Sequence, residues 1–345
     1  MSEFASPHCP ECDEAFDFPE PIARRDFLLA AGGALAYALT GATARAAAPA
    51  VRKPRPAEDL IRELHASLSE AQKGRVVKPY DHRAAKETRP TRLGMFNQAI
   101  DKITIQDSYT RPQQELVERI VKSMCSGDEG YRQISRLGTW DASKSFGNCG
   151  ALIFGDPTPG QKFAFVFSGH HLTLRCDGDS EEGAAFGGPV YYGHTPHGYS
   201  RGNCFNYQTR SVQKLYKALD ERQRVQATVK PGNPGEMDPS VKFKAKASDR
   251  PGLPYEDLSK DQRALAEEVM RTVLSPYRQE DVDEVMAVVK RNGGMEQIKL
   301  AFYPEDLTDE KEPWHFWRLE GPWFVWNYRV LPHVHTYVNI SSKLA

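Results

Sequence analysis

Beyond its N-terminal region this 345-residue chain has no long apolar run, it carries few cysteines, and it has almost no net charge. A bilayer-spanning helix needs about 20 consecutive apolar residues, so no stable membrane anchor is expected. Lys and Arg number 45 against 46 Asp and Glu, a formal charge of −1. No basic stripe interleaved with aromatics is present, which argues against a nucleic-acid partner. A nucleophile elbow, a phosphate loop and a dinucleotide fingerprint are all missing, as is any recognisable Ser-His-Asp set. The common hydrolase and nucleotide-dependent classes therefore have no support in the sequence.

What is present begins with a leader. Ala23-Arg-Arg-Asp-Phe-Leu-Leu29 resembles a twin-arginine export signal, with Arg24 and Arg25 as the pair, and Ala30 to Ala42 has the length of a signal h-region. Ala44-Arg-Ala46 and Ala46-Ala-Ala48 are both of the A-x-A cleavage type. Cutting after Ala48 would put Pro49, with its fixed φ and missing N–H, just past the scissile bond. Cleavage after Ala46 is the better fit, making 1–46 a signal peptide recognised by the twin-arginine machinery and the mature protein periplasmic or secreted. Losing 1–46 removes three basic and seven acidic residues and leaves 42 against 39. It also discards the Cys9/Cys12 pair, leaving Cys125, Cys149, Cys176 and Cys204. In an oxidising compartment at least one disulfide among those four is expected, in any of three pairings.

Chemistry concentrates in histidine. Six of the ten histidines fall in three short β-rich segments. In the C-terminal run, side chains two residues apart share a face, so His333, His335, Tyr337 and Asn339 project one way and Val334, Thr336, Val338 and Ile340 the other. The two imidazoles then stand about 7 Å apart along a strand, within reach of one metal ion. Phe163 to Cys176 reads as a long β segment interrupted at Gly169, and either His170 or His171 can face the site, depending on a bulge at that glycine. His194 and His197 follow in a glycine- and proline-rich turn. His333 and His335 are expected on a strand next to the one bearing His170 or His171, with His194 or His197 completing the shell or lining its mouth.

These segments also carry a resemblance. Phe167-Ser-Gly-His-His-Leu-Thr-Leu174, then Gly188-Pro-Val-Tyr-Tyr-Gly193, then Arg318-Leu-Glu-Gly-Pro322 followed by His333-x-His335, are similar to the family catalogued as domain of unknown function 3500. The resemblance covers most of the chain after the leader and implies no established activity. Members of that family carry acidic and asparagine-rich residues before the last His-x-His. Here the linker is only Arg329-Val-Leu-Pro332, so a carboxylate ligand from that stretch is not expected.

Helical spacing of apolar residues marks 58–73, 112–125, 211–228, 259–274 and 280–292, while strand-like runs fall at 148–155, 162–176, 188–193, 297–303 and across 314–340. Helices grouped between two β regions predict an α+β fold, an antiparallel sheet packed by several helices. Residues 47–345 are expected to form a single domain, with 229–254, holding five prolines and three glycines, as an exposed connection and the candidate subdomain boundary. A pattern Leu-[Ser/Asp]-x-x-Gln recurs at 68–72, 219–223 and 258–262. It is the capping-box signature of a helix start. At Ser69 and Asp220 it falls late in its block, so either those blocks are broken or the recurrence there is chance.

The functional expectation is an exported, histidine-rich metal-binding protein with a copper, zinc or iron site built from His170, His171, His194, His197, His333 and His335. Nickel suits imidazole ligands as well. Oxidoreductase chemistry on a small molecule or glycan is the leading reading, by analogy with the paired histidine segments of copper monooxygenases. The alternatives are zinc-assisted hydrolysis with Glu320 as a candidate base, and a non-catalytic carbohydrate-binding protein using Trp314, Trp317, Trp323 and Trp326.

Overall fold

Two faces of one sheet, one apolar and one polar, organise the chain. The computed structural model describes residues 56–84, 87–230, 235–236, 242–291, 293–304 and 311–341. Arg24, Arg25 and the cleavage sites lie outside the described residues. The helices are α1 (Ala57–Ser67), α2 (Glu70–Val76), α3 (Ile105–Ser108), α4 (Arg111–Ser123), α5 (Gly127–Ile134), α6 (Asn206–Ala218), α7 (Glu221–Ala227), α8 (Lys260–Leu274) and α9 (Gln279–Arg291). The strands are β1 (Val77–Lys78), β2 (Gly150–Gly155), β3 (Phe163–Gly169), β4 (Leu172–Cys176), β5 (Val190–His194), β6 (Leu253–Pro254), β7 (Lys299–Tyr303), β8 (Phe316–Gly321), β9 (Phe324–Arg329) and β10 (Val334–Ile340). Together these make an α+β fold, and the described residues cluster as one compact unit.

All ten strands belong to one sheet in the order β1-β2-β3-β4-β5-β10-β9-β8-β7-β6. Every pairing is antiparallel except β1 with β2. The order reads the same from both ends. Two antiparallel meanders, β2 to β5 and β7 to β10, therefore meet at the central β5·β10 pair. The helices repeat this arrangement. Ser69, Asp220 and Ser259 each close a capping box with the glutamine three residues on, and Thr110 does so with Gln113. The cap glutamines then bond in pairs, Gln72 to Gln113 at 2.7 Å and Gln223 to Gln262 at 2.9 Å. The sequence recurrence at 68–72 and 219–223 thus marks real helix starts, and the two long blocks are each broken in two. Helix α5 has no counterpart in the sequence reading because it buries little more than Gly130 and Ile134, too few positions to set a period.

Apolar residues from the helices and from one sheet face form the main core. Val334, Val338 and Ile340 of β10, Phe324, Trp326 and Tyr328 of β9, and Trp317 and Leu319 of β8 all belong to it. Alternation sends His335, Tyr337, Asn327, Arg329, Arg318 and Glu320 to the opposite face. That face is buried too. It is covered by irregular chain: Phe96 N donates to Thr173 Oγ1, Arg318 donates to the Gly235 carbonyl, and Lys244 pairs with Glu320. The proline- and glycine-rich stretch 229–254 is thus more than an exposed connection, since it brings Glu236 onto the sheet.

Candidate metal centre

His333 Nε2 lies 3.1 Å from His171 Nε2 and 2.9 Å from His335 Nε2. All three imidazoles are buried, and the three nitrogens lie within 4.8 Å of one another. Three nitrogens at 2.0–2.1 Å from one tetrahedral ion would be about 3.3 Å apart. The spacing is therefore close to that of a ligand triad.

Each ring is aimed by its backbone. The β3–β4 segment is a hairpin, not a bulged long strand: Gly169 pairs with Leu172 and His170-His171 form a two-residue turn. His171 takes a left-handed φ of 54° in that turn. Such a conformation is uncommon for a residue with a Cβ, and it persists where the surroundings enforce it. Here the His171 amide donates to Asn97 Oδ1 at 2.6 Å and its carbonyl accepts from the Gly193 amide at 2.9 Å. His335 is paired with Gly193 across the β5·β10 ladder. The two histidine segments are thus not on neighbouring strands as the sequence suggested, because β5 runs between them. They meet because residue 193 has no side chain. A Cβ there would overlap the Val334 carbonyl oxygen and lie 3.1 Å from His335 Cδ2 and 3.3 Å from His171 Cβ.

The far side of two rings is held by carboxylates. His171 Nδ1 donates to Asp141 Oδ2 at 2.8 Å, and His335 Nδ1 donates to Glu236 Oε2 at 2.8 Å. A carboxylate only accepts, so both rings carry their proton on Nδ1 and present the Nε2 lone pair to the cluster. This carboxylate–imidazole arrangement is the one that orients metal-binding histidines. Asp141 lies in a loop where Trp140 and Asp141 both have positive φ, at 57° and 46°. Burial works to raise its pKa, yet hydrogen bonds from His171 and His194 and the charge of Arg136 hold it well below the usual carboxylate range. Glu236 is shared: Tyr337 Oη donates to Oε2 at 2.6 Å, and Arg329 Nη1 pairs with Oε1.

Burial also keeps the imidazoles neutral. It lowers the pKa of His333 to about 2, helped by His171 and Arg329, and pushes His171 and His335 well below the ordinary histidine value. Arg329 is the nearest cation, with Nη2 3.1 Å from His333 Nε2 and 2.8 Å from His335 Nε2.

The remaining sequence candidates separate from the triad. The His170 ring lies against His171 with centres 3.7 Å apart and planes tilted by 41°, and its Nδ1 accepts from the Ala142 amide at 3.3 Å. It joins Asp141 and His171 in a second group able to hold an ion, and burial lowers its pKa to about 4. His194 is not a member of either group. Its Nδ1 donates to Asp141 Oδ1 at 2.7 Å, so it helps hold the carboxylate that orients His171. His197 is half-buried and likewise belongs to neither group. Glu320 pairs with Lys244 and Arg318, and the carboxylates at the triad are instead Asp141 and Glu236. Trp314, Trp317 and Trp326 are fully buried and offer no face to a sugar. Cys125, Cys149, Cys176 and Cys204 are all free thiols, so the expected disulfide is not formed.

Sequence reasoning missed Asp141, Glu236, Arg329 and Gly193. Only Gly193 left a local signal, a glycine inside the strand pattern Tyr191-Tyr192-Gly193-His194. No described helix is long and apolar enough to cross a membrane. No curated protein and no solved structure matches the chain. The family model described as "Protein of unknown function (DUF3500)" matches residues 54–341, most of the chain, and the protein belongs to that family.

Proposed function

We propose that His171, His333 and His335 bind one divalent transition metal through their Nε2 atoms, and that this centre serves an exported oxidoreductase acting on a small molecule. One observation carries the reading. Buried His333 Nε2 lies at hydrogen-bond distance from both His171 Nε2 and His335 Nε2, while those two rings have spent their N–H on carboxylates. At least two lone pairs then point into one small space, an arrangement that a cation relieves. Copper, zinc, iron and nickel all suit imidazole ligands. Redox chemistry is preferred to hydrolysis because the two carboxylates beside the triad are already engaged, Asp141 by two histidines and Glu236 by His335, Tyr337 and Arg329. Neither is placed as a free general base for a metal-bound water. Burial of the triad favours a small substrate over a glycan chain. The bound metal would supply Lewis acidity or an electron at its open position.

A second reading has its own observation. Arg329 donates Nη2 to two of the three nitrogens, so a metal-free hydrogen-bond network closed by the guanidinium is the rival. Elemental analysis of protein purified from its native compartment separates the two. The metal reading expects close to one equivalent of transition metal per chain, lost in His171→Ala and His335→Ala. Protein that is metal-free as isolated, and whose thermal stability ignores added copper, zinc and iron, would leave the hydrogen-bond network standing.

A further inference from the structure

We infer that a second site, a cleft lined by the end of β4, the loop that follows it and α9, binds a small zwitterion of amino-acid size. Its carboxylate would sit on Arg175 Nη1 and its ammonium between Asp179 and Glu284. None of the residues lining the cleft belongs to the histidine triad, so the inference stands apart from the metal reading.

An unmatched donor is the first argument. Arg175 is only 5 % exposed and lines a cleft of about 190 Å³. Its Nε donates to the Pro189 carbonyl and its Nη2 to the Gly94 carbonyl. Nη1 is buried and has no hydrogen-bond partner. Buried donors are nearly always paired, and this one belongs to a group that carries charge. Nε and Nη2 share one edge of the guanidinium, and with that edge spent on carbonyls Nη1 is the corner left to meet a ligand. Asp177, two residues along, does not supply the acceptor. Its carboxylate takes the amides of Asp179 at 3.2 Å and Glu181 at 2.6 Å, and burial pushes its pKa up to about 6.

Charge at the other end is the second argument. The acidic lining is Glu58, Asp177, Asp179, Asp281 and Glu284, against Arg175 and Arg278. Two of these acids are engaged: Arg278 forks onto Asp281 at 2.9 and 2.6 Å, and Glu58 Oε1 accepts from the Cys176 thiol at 3.5 Å. Asp179 and Glu284 are exposed at the rim, and among the described residues neither forms an ion pair. They sense each other, since partial burial and then Asp179 and Asp281 raise the Glu284 pKa, against a weaker pull from Arg291 and Arg278. The buried end is the reverse. Burial brings Arg175 down to about 9, and Arg92 and Arg89 push it the same way, so positive charge gathers there. A simple anion would suit Arg175 but not the acidic rim, and a metal ion would suit the rim but leave Nη1 unpaired. A molecule with one charge of each sign answers both ends. The volume is that of about six waters, room for a ligand of roughly six or seven non-hydrogen atoms.

Three probes of matched length test the two contacts by calorimetric titration of the full chain. γ-Aminobutyrate carries both charges, butyrate only the carboxylate, and butylamine only the ammonium. Wild type should bind γ-aminobutyrate about tenfold tighter than either of the others. Asp179→Asn with Glu284→Gln, which alters only exposed side chains, should weaken γ-aminobutyrate about threefold to tenfold and leave butyrate no weaker. Arg175→Gln should bring γ-aminobutyrate down to the level of butylamine. Butylamine or butyrate binding wild type as tightly as γ-aminobutyrate overturns the inference, since one of the two contacts would then be idle. Unchanged γ-aminobutyrate affinity in the double variant overturns it as well. So does wild type that binds none of the three up to about 10 mM, which would mean that water fills the cleft. Arg175 also ties down two loop carbonyls, so if R175Q does not fold, the wild-type comparison and the double variant decide the matter without it.

Discussion

If the triad holds a metal as proposed, replacing Gly193 by Ala should weaken that binding before it costs the fold. The new Cβ would overlap the carbonyl oxygen of Val334, the residue between the two C-terminal histidines, and would press on His335 Cδ2 at 3.1 Å and His171 Cβ at 3.3 Å. Non-bonded atoms settle near ~3.5 Å, so the β5·β10 ladder has to open by on the order of 1 Å at that point. Overpacking of this kind costs about 1–3 kcal/mol. Metal ligation tolerates only ~0.2 Å, so the same shift should lower metal affinity more than tenfold. Val338→Ala provides the control. It lies on β10, the strand paired with β5, but on the helix-packed face, and removing its two methyl groups should cost about 2 kcal/mol without moving the histidines. Thermal unfolding of the apo proteins should show similar losses, a few degrees each in a chain of this size. Chelator-competition titrations should then separate them. If G193A binds metal as tightly as wild type, the triad is not assembled through the gap at residue 193 and the account of the site is wrong.

Further outcomes follow from the same geometry. Asp141→Asn replaces the acceptor of the His171 and His194 protons with an amide that can present a donor instead, and should weaken metal binding roughly tenfold to hundredfold by chelator competition. Apo protein should lose stability as pH falls below about 6.5: the folded-state pKa values of His171, His333 and His335 are depressed, so the unfolded chain takes up more protons, and the slope is at most about 1.4 kcal/mol per pH unit for each histidine. Urea midpoints that are flat from pH 7 to 5 would contradict neutral, buried imidazoles. Arg24→Lys with Arg25→Lys should trap precursor in the cytoplasm, and N-terminal sequencing of exported wild type should begin at or near Ala47; Met1 or Ser2 on exported protein would refute the leader.

Much of this was legible because period-two alternation is a local property. The sequence from Val334 to Ile340 places His335 opposite its valines whatever the rest of the chain does, and the structure keeps that division of faces. Helix starts were legible for the same reason, since a capping box closes within four residues. Asp141 and Glu236 were not. They reach their histidines across 30 and 99 positions from loops whose sequences look like ordinary turns. Nor could alternation decide between His170 and His171, because the chain reverses between them and strand parity does not survive a hairpin turn.

The palindromic strand order gives the centre a further logic. In the first meander Gly169 and Leu172 flank the two-residue turn His170-His171, and in the second Gly321 and Phe324 flank the two-residue turn Pro322-Trp323. The same hairpin thus ends in imidazoles in one half and in a proline and an indole in the other. The central pair is equally uneven: β10 brings His335 to the ladder position where β5 has Gly193. Had both halves kept large side chains at that pair, the rings would clash across the ladder; had both kept glycine, the triad would lose His335 and only His333 would come from the C-terminal half. One half therefore supplies His171 and the space, the other supplies His333, His335 and Arg329, and the histidine triad is completed only where the two meanders meet.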